Sequence, residues 1–267
     1  MPELPEVERG REIAELVCRG RRIESVHCPE DAIALAGTSA TKVRRALRGA
    51  TVAAVGRHGK QLWFELDRRP WLLVHFGMTG AFSGYEASAS SERPRFCRLE
   101  LALEGGRRLA FTDPRRFGRL GLAHDPRGEP PVSRLGFDPL LGMPDARTFK
   151  ALIAPRRGNV KGVLLDQSFA AGVGNWIADE VLYQAKVDPH RRVDSLSNSE
   201  IAAIRSKLAS VIRVAVEAKS VSARFPKTWL FHRRWGKDAS ATTHDGRPLR
   251  HETIAGRTTA WVPGVQR

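Results

Sequence analysis

The apolar residues of this chain change their period between its two halves, and that change limits the folds open to it. From about residue 21 to 113 they fall in short runs, "RRIESVHC", "ATVAAVG", "KQLWFEL", "WLLVHF", "FCRLELALE" and "RRLAFTD". These runs are rich in β-branched and aromatic residues, and "EGGR" between the last two reads as a hairpin turn. Six or more short strands in about 100 residues predict a sandwich or barrel. Beyond residue 146 the spacing becomes helical. "NWIADEVLYQAK" sets Ile177, Val181, Leu182 and Ala185 on one side, and the segment after it does the same with Ile201, Ile204, Leu208, Val211, Ile212 and Ala215. Ser197 and Glu200 supply a capping box for that last helix. "DARTFKALIA" and "NVKGVLLDQ" read as shorter helices.

Two further segments complete the order. Residues 5–18 place Val7, Gly10, Ile13, Ala14 and Val17 on one helical face, with Pro5 suited to the first turn. The final stretch returns to strand-like pieces around "HDGRPL" and "AGRTTAWV", predicting a hairpin. The expected fold is therefore α+β: an N-terminal helix with a β-sandwich over 1–132, a linker over 133–145, a helical domain over 146–220 and a basic β-hairpin over 221–267.

Charge narrows the partner. The 267 residues carry a net +15, and 221–267 alone hold nine Lys/Arg against three Asp/Glu. Such a balance fits a polyanion, nucleic acid first and an acidic membrane surface second, or simply a basic surface. No apolar run reaches 18 residues, so no membrane span is predicted, and the opening lacks a signal-peptide pattern. Three scattered cysteines, Cys18, Cys28 and Cys97, fit an intracellular, reducing setting rather than a disulfide framework.

Five constellations could carry chemistry, each with a plainer structural alternative. The chain opens "MPELPEVE", so loss of Met1 would leave the secondary amine of Pro2 at a helix start, with Glu3 and Glu6 beside it. An amine attacking a sugar anomeric carbon gives an iminium, and a carboxylic acid nearby can protonate the leaving group. The alternative is an ordinary Pro/Glu helix start. Lys60, after Gly59 on a turn, can reach a phosphate or stay solvated. "VHFGMTG" brings His75 and Met78, and "TDPRRFGRL" brings Arg115 and Phe117. A guanidinium and a ring on one loop suit entry into a DNA stack, and core packing is the alternative for Met78 and Phe117. In "AAGVGNWIADE" the glycines before Asn175 could turn backbone N–H groups and the Asn amide to a phosphate, or merely cap a helix. Arg257, after Gly256 in the last hairpin, could lie along a DNA backbone.

Taken in order, "MPELPEVE", "GK" at 59–60, "HFGMTG", "TDPRRFG", "GVGNWIADEVLYQA" and "GRTTAW" resemble the formamidopyrimidine-DNA glycosylases, of the superfamily shared with endonuclease VIII. The resemblance covers essentially the whole chain. It implies a helix–two-turns–helix motif in the helical domain and a C-terminal finger. It further implies base-excision repair as a monomer on duplex DNA with oxidised bases or abasic sites, with no cofactor. In that scheme Pro2 attacks C1′ of a flipped nucleotide, and β- then δ-elimination follow. Glu3 would donate a proton, and Glu6 would arrange the terminus. Lys60, Asn175 and Arg257 would hold phosphates, with His75 and Lys161 among the DNA-binding residues. Met78, Arg115 and Phe117 would fill the vacated space. Asp166 lies in the same similar stretch as Lys161. The expected location is the nucleus in a eukaryote, or the cytoplasm and nucleoid in a bacterium.

The chain departs from the bacterial pattern twice. Bacterial members end in a four-cysteine zinc finger, whereas 221–267 holds no cysteine, and His232, His244 and His251 lack metal-ligand spacing. The segment resembles the zincless finger of plant and fungal members, so no metal is expected. The stretch about 220–230 is also short where bacterial members carry a loop closing over 8-oxoguanine. Formamidopyrimidines and hydantoins are therefore expected ahead of 8-oxoguanine. Two other readings stay open: an endonuclease VIII-like enzyme for oxidised pyrimidines, and a non-catalytic damaged-DNA binder.

Overall fold

The computed structural model describes residues 1–35, 37–86, 92–236 and 238–267. It forms two compact units: Met1, Pro2 and Glu6–Arg134 make one, Glu3–Pro5 and Leu135–Arg267 the other. The elements up to residue 134 are α1 (Leu4–Cys18), β1 (Ile23–His27), α2 (Ala40–Leu47), β2 (Val52–His58), β3 (Gln61–Leu66), β4 (Trp71–His75), β5 (Ala81–Glu86), β6 (Cys97–Leu103), β7 (Arg107–Thr112) and β8 (Arg119–Ala123). The strands make two four-stranded antiparallel sheets, ordered β1-β6-β7-β5 and β2-β3-β4-β8.

One apolar cluster joins the two sheets. It takes Leu99, Leu101, Leu109 and Phe111 from one, and Leu62, Phe64, Leu72 and Val74 from the other, with Val7, Ala14 and Val17 of α1. This is the sandwich that the alternating runs predicted. Gly105 and Gly106 of the "EGGR" turn, in the three-residue connection between β6 and β7, both have positive φ, +80° and +75°, which glycine takes at little cost. Helix α2 and strands β5 and β8 were not anticipated. In α2 only Ala40, Val43 and Leu47 are buried, and Lys42, Arg44 and Arg45 interrupt the pattern; Ser39 starts the helix by accepting the Lys42 N–H. Glycine interrupts the apolar pattern of both β5, "AFSGYE", and β8, "RLGLA".

The second unit contains α3 (Ala146–Ile153), α4 (Val160–Leu165), α5 (Asn175–Ala185), α6 (Asn198–Glu217), and the hairpin β9 (Arg250–Ile254) and β10 (Arg257–Trp261). Asp145 and Asn159 cap α3 and α4, and the Ser197/Glu200 box caps α6 as expected. All six residues assigned to the apolar face of α6 are buried. The hairpin turn is Ala255–Gly256, at φ +50° and +71°. "HDGRPL" therefore precedes the first strand of the hairpin, and it turns rather than extends, with a single bridge between Thr242 and Pro248. No helix among the described residues is long and apolar enough to cross a membrane.

Helix α5 is buried nearly all round, including Asp179 and Glu180. Glu180 accepts the Phe231 N–H at 2.8 Å and a Gln184 amide N–H at 2.8 Å. Burial nevertheless pushes its carboxyl up from 4.5 to about 7. Between those values the folded chain holds a proton that the unfolded chain has released, so stability falls as pH rises through that window. Glu180→Gln should be the more stable protein at pH 8, by about 3 kcal/mol, with the gap closing towards pH 5. Parallel denaturant titrations at the two pH values check this; a gap independent of pH would show that Glu180 is ionised throughout.

Candidate active site

In the first unit, the expected residues gather at one end of the β2-β3-β4-β8 sheet. Gly59 and Lys60 form the two-residue turn between β2 and β3, where His58 pairs with Gln61 and Gly59 takes φ +56°. The turn is braced from below. Arg57, buried, donates to the Gly59 carbonyl at 2.9 Å and to Glu8 of α1 at 2.6 Å. Glu8 also takes Arg11 at 2.7 Å, so α1 sets where the Lys60 turn stands.

His75, at the end of β4, pairs with Gln61 on one side and Arg119 on the other. Its Nδ1 accepts the Gly77 N–H at 3.1 Å. Burial, then the charges of Lys60 and Arg119, pull its pKa down to about 4, so the ring is neutral at physiological pH. A neutral imidazole accepting at Nδ1 carries its proton on Nε2.

Met78, 37% exposed, and Phe117, 43% exposed, sit on adjacent loops. Asp113 knits these loops together. Buried to 1%, it accepts from the Thr79 hydroxyl at 2.5 Å, the Arg115 N–H at 3.2 Å and the Gly118 N–H at 2.7 Å. The loops touch so closely that a Cβ on Gly77 would lie 2.3 Å from the Phe117 carbonyl carbon. Arg116, at φ +59°, is tied back to Asp31 by two bonds of 3.0 and 2.9 Å, which hold the Asp31 carboxyl at about 2. Its neighbours Arg115 and Phe117 stay exposed, the Arg115 guanidinium 4.9 Å from the Phe117 ring centre. Pro2 is half-buried ahead of α1, and Glu6 occupies the first turn of that helix.

In the second unit Glu3 is buried to 2%, and its carboxylate accepts the N–H groups of Trp176 at 2.9 Å and Ile177 at 3.2 Å. The positive N-terminal end of α5 thus faces a side chain of the chain itself. The glycines before Asn175 serve this contact: a Cβ on Gly174 would lie 2.2 Å from the Glu3 carboxyl carbon, and one on Gly172 would lie 2.7 Å from Leu4. Leu4 donates its N–H to the Gly172 carbonyl at 3.0 Å.

Three helical side chains hold β10. Asn175 donates to the Thr258 carbonyl at 2.7 Å, Lys161 donates to the Thr259 hydroxyl at 2.5 Å, and Asp179 accepts the Ala260 N–H at 3.1 Å. Asp179 also pairs with Lys161 at 2.7 Å and with Arg234 at 2.7 Å. Arg257 opens this anchored strand and is exposed.

Both units match known proteins. Residues 1–120 match the formamidopyrimidine-DNA glycosylase N-terminal domain, and 135–227 match the H2TH domain of the same enzymes. The chain belongs to the formamidopyrimidine-DNA glycosylase family. It is 38% identical to the formamidopyrimidine-DNA glycosylase of Arabidopsis thaliana, over all of this chain and 71% of that one. It is 33% identical to the Heliobacterium modesticaldum enzyme over the full length of both. Solved structures of the Lactococcus lactis enzyme share the fold, one with an abasic-site DNA at TM-score 0.86, 25% identity and 99% coverage of each chain. As a formamidopyrimidine-DNA glycosylase, the chain is an enzyme of base-excision DNA repair.

Within this glycosylase one expectation changes. Lys161 was expected at the DNA, but it is fully buried, with its ammonium group enclosed by Asp179 and Thr259. It positions β10 and does not face solvent. The backbone N–H groups after the glycines could face a phosphate or merely cap a helix; those of Trp176 and Ile177 face the Glu3 carboxylate. Asp166 ends α4 and orders its loop, accepting from the Ser168 N–H at 2.8 Å and Arg156 at 2.7 Å.

Segment 221–267 has no cysteine, and no three His, Cys, Asp or Glu among the described residues form a metal-ligand set, so its donors do not fit zinc. Leu230, Leu249, Ala260 and Val262 pack together there. The sequence reasoning missed Glu8, Arg57, Asp113 and Asp179; for Asp113, the buried carboxylate of an Asp-Pro turn was the one available signal.

Proposed function

We propose that the chain is a bifunctional glycosylase and abasic-site lyase whose nucleophile is the secondary amine of Pro2, free once Met1 is removed. The observation that carries this is the anchoring of residues 3 and 4. Glu3 is bonded to Trp176 and Ile177, and Leu4 to Gly172, so the amine one residue earlier has little freedom left. The amine attacks C1′ and gives up its proton to the Glu3 carboxylate, and the glycosidic bond breaks with its electron pair leaving on the base, which takes that proton from Glu3. The C1′–O4′ bond then opens, its electron pair leaving on O4′, which takes a proton from solvent, while the nitrogen lone pair closes the iminium. This acidifies C2′–H, and loss of that proton expels the 3′ phosphate; a second elimination expels the 5′ phosphate.

Around this step Lys60, Asn175 and Arg257 bind phosphates. Asn175 has already given one amide N–H to Thr258, so its second N–H makes that contact. Met78, Arg115 and Phe117 enter the space left by the flipped nucleotide, with neutral His75 beside Lys60 as a hydrogen-bond donor through Nε2. The Asp113 bonds support the wedge, because they order both loops before DNA arrives and so lower the entropy lost on binding.

The substrates are oxidised purines, formamidopyrimidines and hydantoins ahead of 8-oxoguanine. Supporting this, the short stretch near 220–230 packs inward: Phe225 and Trp229 are buried, their rings 5.8 and 6.4 Å from that of Trp176. A segment so anchored does not serve as a loop that closes over a base. Duplexes carrying a formamidopyrimidine, a hydantoin, 8-oxoguanine or an oxidised pyrimidine at one site test the whole reading. Gaps bearing phosphate at both ends are expected, fastest for the first two. Fastest cleavage of the pyrimidine lesion would give the endonuclease VIII-like reading, and uncleaved but bound DNA a non-catalytic one.

A further inference from the structure

The β2-β3-β4-β8 sheet has a second cationic end. Strands β3 and β4 run from the Lys60 turn and His75 back to the turn at residues 67–70, and β8 runs from Arg119 to Ala123 with Ala123 opposite Trp71. The wedge loops therefore lie at one end of the sheet, and Arg68, Arg69 and His124 at the other, roughly 15 Å of strand away. Helix α2 adds Lys42 and Arg45 to that far end. A hollow of about 410 Å³ there is lined by Lys42, Arg45, Arg68, Arg69 and His124 together with Ala46, Pro70 and Leu122, without a carboxylate. A neighbouring hollow of about 550 Å³ shares Arg68 and is lined also by Arg22 and Arg48 and by Glu24 and Glu104.

These cations are held in place but not neutralised. The Arg69 guanidinium lies 3.3 Å from the centre of the Trp71 ring, and the indole N–H of Trp71 is itself fixed on the Leu66 carbonyl at 3.0 Å. Arg68 donates to the Arg48 carbonyl. The side chains of Arg22 and Arg68 converge above Gly49, each with a guanidinium nitrogen within 3.7 Å of the point where a Cβ would stand. No described carboxylate pairs with Lys42, Arg22, Arg45, Arg48, Arg68 or Arg69, although other arginines of the same unit are paired. Like charges brought together and left unpaired cost stability unless an anion joins them.

We propose that this end is a second DNA-docking surface, taking the phosphate backbone of a duplex segment other than the one that carries the lesion. The proposal rests on the glycosylase reading above. Guanidinium forks suit phosphodiesters. No large apolar side chain of this end is among the exposed ones, whereas stable membrane attachment uses an apolar anchor beside the charge. Weak backbone contacts of this kind gain strength from tethering: an enzyme already on DNA meets neighbouring segments at high effective concentration. The surface would let the enzyme hand itself from one segment to the next while searching.

The test places the protein on an immobilised duplex with a tetrahydrofuran abasic analogue, then adds a second, undamaged, labelled duplex. The wild type should retain the second duplex, with retention falling steeply as salt rises. Arg45→Glu, Arg68→Glu and Arg69→Glu together should lower retention about tenfold or more while leaving hold on the first duplex intact. Lys42→Glu with Arg45→Glu, confined to the exposed face of α2, should lower it part way. Equal retention by the triple variant overturns the proposal, as does a wild type that binds the first duplex and captures no second. Preference for phosphatidylserine vesicles over the second duplex would also overturn it. Failure to bind the first duplex would overturn the repair reading, and this proposal with it.

Discussion

A form of the protein that retains Met1, through an N-terminal extension that is not cleaved, is expected to give no borohydride-trapped adduct with an abasic-site duplex. The mature chain beginning at Pro2 should give one, and mass mapping should place it on residue 2. Placing the Pro2 nitrogen in a peptide bond removes its nucleophilic lone pair without touching any phosphate contact, so DNA binding should survive. Loss of a nucleophile is a large effect, on the order of 10³-fold or more in strand cleavage. The anchoring of the residues beside Pro2 also makes the experiment selective for the proposed nucleophile. Residue 3 is pinned on α5 and residue 4 on Gly172, so another amine cannot readily take over the same geometry. An adduct mapping to Lys60 in the mature chain would move the nucleophile to the β2–β3 turn.

The second large effect concerns Glu3→Gln. The carboxylate receives two N–H groups at the start of α5, and a glutamine side chain presents one oxygen and an NH₂ to the same pair. One helix N–H then loses its acceptor, and the side chain can no longer pass a proton to the departing base. Excision of an intact damaged base should fall on the order of 10²- to 10⁴-fold, the usual range for a general acid. A pre-formed abasic site has no base to protonate, so borohydride trapping on it should stay within about tenfold of wild type. That split separates chemistry from scaffolding: equal losses on both substrates would mean that Glu3 only holds the N-terminus in place.

The same buried carboxylates explain why part of this protein reads directly from its residues and part does not. Segments whose stability is local were legible. The sandwich followed from alternating apolar runs, the α6 face from its spacing of three and four, the Ser197/Glu200 cap from two residues three apart, and the 105–106 turn from two glycines that tolerate positive φ. The turns that carry Lys60, Met78, Arg115, Phe117 and Arg257 were legible too, because glycine or proline marks them, and all of these residues but Lys60 are exposed. The elements that escaped, α2, β5 and β8, bury few residues each, so their patterns are short and interrupted by charge or glycine.

Sequence alone thus determined the order of the main segments, the change from sandwich to helices and the place of several turns, since these depend on neighbours close along the chain. Only the tertiary structure decided what the buried charges do. The family resemblance puts Lys161 at the DNA, yet Asp179 and Thr259, 18 and 98 positions away, enclose it and make it an anchor for β10. Glu3 meets α5 across more than 170 positions, and Arg57 meets Glu8 across 49. A buried charge is tolerable only where partners converge on it. Such convergence depends on how distant segments pack, and no local pattern of residues records it.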